Sequence, residues 1–348
     1  MVMVLSKFGK MMNKALKQDA TQAAPNGVAA LAALTEKDME KVNALILSRT
    51  GSDVLLILDV AKHLINSGGK RLRPMLTLAS AALVQAKGDK VHKLAAAVEF
   101  MHTATLLHDD VVDKSDMRRG AKTARMLWGN EASVLVGDFL LGQAFRMMVE
   151  TECLEALKVL SNAAAVIAEG EVMQLDNARK LRLTEKDYFK IITSKTAVLF
   201  SAACEVGPCL ADSMDKYRTA LSDYGMNLGI AFQLIDDILD YAGGIETGKA
   251  VGNDLIEGKV TLPVILSYQN GDAGQRAFWE RQFSDDPIDE DEMTQAIDML
   301  HSSGAIEATR ERAEDYANKA RTALEVFDES EMKAALLGVV DFCVERKF

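Results

Sequence analysis

The sequence predicts an all-α protein, one large single-domain helical bundle, and three observations predict it. Apolar residues recur at helical spacing through most of the chain, as in VNALILSRTGSDVLLILDVAKHLI, HKLAAAVEFMHTATLLHDDVVD and EASVLVGDFLLGQAFRMMVE. Aromatic residues are only 6% and 5 prolines stand against 17 methionines, a composition that suits helices better than sheets. No alternation of apolar and polar residues is long enough to argue for strands. Several of the helices are apolar on most sides, which places them inside a bundle. With 348 residues, 49% hydrophobic and 26% charged, the chain can bury a sizeable core.

Taken in order, the opening MVMVLSKFGKMMNKALKQ carries four lysines and no acid before Asp19. It lacks arginine, a long apolar core and a small-residue cleavage site, so it reads as a flexible extension rather than a targeting peptide. Residues 1–34 are expected to be that extension, with 19–34 as linker, and 35–348 the helical domain. Thr35 and Asp38 have the spacing of a capping box at its start. Breaks are expected at Gly68-Gly69, Lys87–Asp89, Met117–Lys122, Leu183-Thr184, Gly207-Pro208 and Gly243–Gly258. A net charge of −11 argues against nucleic-acid binding but leaves room for local basic clusters. No stretch reaches the roughly 18 uninterrupted apolar residues of a membrane span. Cys153, Cys204, Cys209 and Cys343 lack metal-ligand spacing and suit a reducing, cytoplasmic setting.

The most informative pattern occurs twice. LLHDDVVD holds Asp109, Asp110 and Asp113; LIDDILD holds Asp236, Asp237 and Asp240. At about 100° per residue, the second and third Asp of each set lie about 100° and 40° from the first, so the carboxylates share one helical face. Like charges on one face repel, and Asp is a mediocre helix former. One such cluster also fits a solvated acidic face. Two, each embedded in an apolar helix, point to Mg²⁺, which takes a few carboxylates and completes its shell with water and phosphate oxygens. Two facing rows would then trap a phosphorylated ligand.

Cations to hold phosphate are present. SGGKRLRPM sets Lys70, Arg71 and Arg73 between a Gly-Gly turn and Pro74, at an expected helix N-terminus. DMRRG adds Arg118 and Arg119, whose planar forks suit phosphate. Lys195 interrupts an apolar helical run, as a charge pointing into a cavity would. Lys249 and Lys259 lie in a glycine-rich stretch suited to a closing flap. His102, two turns below Asp109 on the same face, is either a core residue or a donor to phosphate. Asp138, within an apolar stretch, needs a partner, expected to be an Arg or Lys of the site; His108 is read as structural.

The combination GGKRLRP, LLHDDVVDKSDMRRG, SKTA, FQLIDDILD and GKAVGNDLIEGKVTLP resembles the trans-isoprenyl diphosphate synthases over about residues 35–348. Within them it is similar to the long-chain polyprenyl synthases (octaprenyl, solanesyl, decaprenyl) that supply quinone side chains. The resemblance implies the isoprenoid-synthase bundle around a central cavity, a homodimer, and Mg²⁺-dependent head-to-tail (1′-4) condensation of isopentenyl diphosphate with an allylic diphosphate. It implies that Lys70, Arg73, His102 and Arg119 bind isopentenyl diphosphate. Asp109 and Asp113, with Asp110, would hold Mg²⁺ on the allylic diphosphate, and Arg118 would contact that group. Asp236, with Asp237 and Asp240, would hold a further Mg²⁺. Lys195, Thr196 and Gln233 would face the reacting carbons, and Lys249 and Lys259 would close over the leaving group.

In that family a bulky aromatic four or five positions before the first Asp stops elongation. Here those positions are Thr105 and Ala104, and the row His108, Ala104, Met101, Ala97 is expected to be open to an apolar tail, so a long product is expected. The alternative is a short-chain synthase making geranylgeranyl or farnesyl diphosphate. A class I terpene cyclase would usually replace FQLIDDILD with an Asn/Ser/Glu pattern, and a regulatory subunit would tend to lose site residues. A di-iron bundle lacks its paired Glu-x-x-His motifs.

Overall fold

The computed structural model describes residues 26–66, 69–211, 215–242, 251–284 and 289–346. Helices α1 (Asn26–Arg49), α2 (Leu55–Asn66), α3 (Leu72–Leu83) and α4 (Asp89–Val112) lead into an antiparallel pair, β1 (Met117–Arg118) and β2 (Ala121–Lys122). Next come α5 (Ala124–Trp128), α6 (Asn130–Val149), α7 (Leu154–Asn177), α8 (Glu185–Ile192), a π-turn at Thr193–Ala197 and α9 (Val198–Glu205). After a 3₁₀ turn at Pro208–Leu210 follow α10 (Asp215–Ala242), α11 (Asn253–Ile256), α12 (Leu262–Asn270) and α13 (Ala273–Gln282). Helices α14 (Glu290–Ser302), α15 (Ala305–Ala323) and α16 (Glu331–Glu345) complete the described chain.

The chain divides into two compact units. Unit 1 holds the described residues up to Asn162, with Ala202–Leu221 and Val326–Val339; unit 2 holds Ala163–Ser201, Ser222–Glu325 and the described residues from Val340 onward. One aspartate motif lies in each.

In unit 1, α4 is the central helix and packs most extensively on α6, then on α3 and α1. Leu94 through Val98, Phe100, Met101, Ala104 and Leu107 of α4 are all buried, which explains why its sequence is apolar on most sides. Gly137 of α6 is required by a close approach: a Cβ there would come 2.3 Å from His108 Nε2. His108 reaches Val134 O at 3.2 Å and Asp138 Oδ1 at 3.4 Å, so the partner of Asp138 is this histidine and not an Arg or Lys. Helix α6 is the one described helix long and apolar enough, by length and composition, to cross a bilayer. It nonetheless carries Glu131, Asp138 and Arg146, and buries Ala132, Val136, Leu140, Ala144 and Met147 in unit 1.

The N-terminal expectation needs correction. Helix α1 begins at Asn26 and runs through Thr35, which is buried and donates from Oγ1 to Leu31 O at 2.8 Å. Thr35 and Asp38 therefore form no capping box; Asp38 instead accepts from Lys41 at 3.1 Å and pairs with His92 at 2.9 Å. Burial of Val28 and Leu31, and a crossing of α1 and α16 in which a Cβ on Gly27 would overlap Gly338 O, stabilise helix upstream of Thr35.

Unit 2 has its own core, built from Leu234, Ile235, Ile238 and Tyr241 of α10 with Leu262, Ile265, Trp279 and Leu300. Trp279 satisfies its buried N–H on Ser267 Oγ at 3.1 Å. Capping fixes the helix entries: Thr184 accepts from Asp187 N for α8, and Asp272 and Asp289 form capping boxes with Gln275 and Glu292.

Candidate active site

In unit 1 the basic residues converge. Helix α3 starts at Leu72, so Pro74 sits in its first turn rather than at its first position, and Lys70 and Arg71 precede the helix. Arg71, at φ 50°, donates from Nη1 to Glu99 Oε1 at 2.6 Å in a largely buried pair. Arg73 donates from Nη1 towards His102 Nε2 at 3.2 Å. The expected break at Met117–Lys122 is the β1–β2 hairpin, whose turn residues Arg119 and Gly120 have φ 51° and 75°, as a two-residue type I′ turn requires. The Arg119 guanidinium lies against Gly69, where a Cβ would come 2.5 Å from Nη1.

His102 is half-buried among these cations. Burial, with Arg73, Arg119, Arg118 and Arg71 around it, holds its imidazole well below the usual histidine range. It is neutral, accepts at Nε2, and carries its proton on Nδ1.

The two aspartate motifs share an internal logic that helical spacing did not reveal. In each, the middle residue is turned into the protein. Asp110 is 1% exposed and accepts from Arg118 Nε at 2.8 Å, whereas Asp109 and Asp113 stay half-buried at the end of α4. Asp237 is 2% exposed and accepts from Tyr188 OH at 2.5 Å and Gln233 Nε2 at 2.7 Å. Burial pushes the carboxyls of both up, that of Asp237 to about 7. Asp240 accepts from the backbone N–H of Asn253 at 3.2 Å and Asp254 at 3.0 Å, which anchors the start of α11. Asp236 accepts from Arg346 Nη1 at 2.6 Å.

Unit 2 contains a cavity of about 100 Å³ lined by Tyr188, Lys195, Thr196, Gln233, Asp237 and Lys259, among others. Lys195 and Thr196 lie on the π-turn, a helix form that recurs at functional sites because it displaces side chains from regular spacing. Helix α7 passes so close that a Cβ on Gly170 would come 2.8 Å from Ser194 Cβ. Lys195 donates to Glu171 Oε2 at 2.7 Å, and Thr196 Oγ1 donates to Gln233 Oε1 at 2.8 Å. Lys259 pairs with Glu257 at 2.5 Å. Lys249 lies outside the described residues.

The product-length positions are split. Ala104 and Met101 are 2% and 1% exposed, packed in unit 1. Thr105 is half-buried with His102, Leu106 and Asp109, and donates from Oγ1 to His102 O at 2.8 Å. The half-open face below Asp109 is thus Leu106, Thr105 and His102; Ala104, Met101 and Ala97 lie about 80–140° around the helix from it.

Sequence reasoning missed Tyr188, Glu171, Asp254 and Arg346. Asp254 is held well above the carboxylate range by burial and then by the nearby Asp240 and Asp237. Among the described residues no three His, Cys, Asp or Glu side chains converge closely enough to hold a metal ion alone. The donor set still fits magnesium, a hard cation that uses one or two carboxylates and takes its remaining oxygens from water and phosphate. Asp109 and Asp113, half-buried at the end of α4, are carboxylates of that kind.

Residues 54–300 match the model of the polyprenyl synthetase family. The chain is 46% identical over 314 residues to the octaprenyl diphosphate synthase of Escherichia coli, covering 90% of this chain and 97% of that one. Its fold is similar to the crystal structure of a polyprenyl synthase from Caulobacter crescentus complexed with calcium and isoprenyl diphosphate, with TM-score 0.89 and 49% identity over 93% and 99% of the two chains. It is also similar to a decaprenyl diphosphate synthase from Rhodobacter capsulatus, with TM-score 0.86 and 46% identity over 90% and 98%.

Proposed function

Because the chain belongs to the polyprenyl synthetase family and is a trans-polyprenyl diphosphate synthase, we propose that it condenses isopentenyl diphosphate with an allylic diphosphate, with magnesium, to a long all-trans product for a quinone side chain. The observation that carries this reading is the gathering of Arg73, Arg118 and Arg119 about a neutral His102, on the helix that ends in Asp109 and Asp113. In a chain of net charge −11, that is a local anion site beside a carboxylate pair.

Within unit 1, Lys70, Arg73 and Arg119 hold the diphosphate of isopentenyl diphosphate, and Arg118, fixed by Asp110, orients the allylic diphosphate. Asp109 and Asp113 in unit 1, and separately Asp236 in unit 2, would hold magnesium, which when bound would offset the negative charge that develops on the leaving diphosphate. Within unit 2, Lys195, steadied by Glu171, keeps a cation at the cavity. The lone pairs of Thr196 Oγ1 and Gln233 Oε1 favour positive charge on the allylic carbon as its C–O bond breaks. The isopentenyl double bond attacks that carbon, and a proton leaves to the departing diphosphate. No side-chain nucleophile is needed.

A second copy of the chain completes the proposal. The outer face of α6 presents Val134, Leu135 and Val149, Leu135 being 67% exposed, and a Cβ on Gly142 would meet nothing within 4 Å. An apolar stripe of this kind suits a symmetric homodimer. The cytoplasmic setting expected from the cysteines belongs to the same reading. For product length, the small side chain at Thr105 and the octaprenyl and decaprenyl relatives support a long chain. Burial of Ala104 and Met101 favours the short-chain alternative. Incubation with labelled isopentenyl diphosphate, farnesyl diphosphate and Mg²⁺ tests both. Long polyprenyl products support the proposal, geranylgeranyl-sized ones select the alternative, and no incorporation refutes it.

A further inference from the structure

Tyr188 of α8 is 3% exposed, lines the cavity of unit 2, and donates its hydroxyl proton to Asp237 Oδ2 at 2.5 Å. The other oxygen of the same carboxylate, Oδ1, accepts from Gln233 Nε2 at 2.7 Å, one helical turn back on α10. A carboxylate oxygen accepts, so the amide must turn its NH₂ to Asp237. Its Oε1 is thereby directed to the opposite side, where Thr196 Oγ1 donates to it at 2.8 Å. Four side chains thus form one hydrogen-bonded chain that converges on Asp237: Thr196 donates to Gln233, Gln233 donates to Asp237, and Tyr188 donates to Asp237 from the other end.

We propose that Tyr188 is a positioning residue for prenyl transfer: it clamps Asp237 so that Gln233 presents its carbonyl oxygen, and not its NH₂, to the cavity. The proposal rests on the reading of the cavity as the place where an allylic carbon gains positive charge. There the orientation of one amide decides the sign of its effect, since Oε1 stabilises the cation and the NH₂ opposes it. An amide with no clamp on its partner can turn over at little steric cost, because its oxygen and nitrogen are nearly equal in size. Tyr241 provides a contrast in the same core. It is equally buried, but its hydroxyl pairs with Thr261 at 3.2 Å and lies outside this chain.

The test is Tyr188→Phe, which keeps the ring and removes only the hydroxyl, measured beside Tyr241→Phe, Gln233→Leu and the double variant Tyr188→Phe/Gln233→Leu. Tyr188→Phe should lower kcat about tenfold or more with KM for isopentenyl diphosphate nearly unchanged. Tyr241→Phe, which sets the cost of losing a buried hydroxyl to the fold, should leave kcat unchanged. In the Gln233→Leu background, removal of the Tyr188 hydroxyl should cost nothing further. Additive losses in the double variant, or an equal kcat loss in Tyr241→Phe, overturn the positioning role while leaving the synthase reading intact. Absence of prenyl transfer in the unaltered protein overturns that reading and this inference with it.

Discussion

Arg346 donates from Nη1 to Asp236 Oδ1 at 2.6 Å and lays its guanidinium over Phe232, 4.7 Å from the ring centroid. A cation from the last described turn of the chain thus holds the first carboxylate of the second motif. The same carboxylate cannot serve arginine and a divalent ion at full strength. Arg346→Gln should therefore lower the Mn²⁺ concentration for half-occupancy severalfold, read by electron paramagnetic resonance without substrate. An unchanged titration would mean that the arginine does not compete.

Asp109→Ala and Asp236→Ala should each reduce incorporation of labelled isopentenyl diphosphate by about 10²-fold or more, because charge on the leaving group loses its counter-ion. Far-UV circular dichroism should stay unchanged, since neither side chain is part of a packed core. Near-normal turnover in either variant refutes the assignment.

Product length gives a contrast between neighbours. Ala104 is packed in unit 1, so Ala104→Phe should cost about 1–3 kcal/mol of stability through overpacking, seen as a lower Tm. Thr105 is half-buried on the face shared with His102 and Asp109. Thr105→Phe should shorten the product at smaller cost to the fold. Identical chain lengths from wild type and Thr105→Phe would place the limit elsewhere.

Acid stability should depend on Glu150. Its carboxylate is gripped by both terminal nitrogens of Arg49, at 2.7 and 2.5 Å, and by Lys93 at 3.0 Å. The hydrogen bonds from Arg49 lead in lowering its pKa from 4.5 to about 2. Because the folded value is depressed, this contribution is complete above pH 4.5 and fades as pH falls towards 2. Part-exposed as the pair is, it is worth up to about 1 kcal/mol. Glu150→Gln should lower Tm at neutral pH and flatten its dependence on pH in that window; parallel curves for the two proteins would exclude the pair as the cause.

The helices and the two carboxylate rows were legible because both follow from spacing along one element. Periodicity finds α4 and α10, and a rotation of about 100° per residue finds the shared face. Contacts that close over long separations were not legible. Tyr188 lies 49 residues from Asp237 and Arg346 lies 110 from Asp236, so no local pattern announces either. Whether an Asp in a row faces inward or outward is decided by partners on other elements, Arg118 of the hairpin for Asp110 and Tyr188 of α8 for Asp237, and helical spacing alone makes both equivalent to their neighbours. Thr35 shows the opposite failure. A Thr-x-x-Asp signature was present, but packing of Val28, Leu31 and Gly27 extended the helix past it. The hairpin at Arg119-Gly120 was too short for any alternation to register.

The π-turn at Thr193–Ala197 has an evolutionary corollary. It holds one residue beyond what a regular helix would accommodate between α8 and α9. Removal of one residue there would let both segments fuse into an ordinary rod with the flanking helices still in phase, and only the side chains of the turn itself would lose their displacement from regular spacing. The turn that sets Lys195 and Thr196 at the cavity would be gone, although both residues were still in the chain. Descendants that gave up the chemistry could then be recognised by a gap in this stretch, even where every motif letter survives.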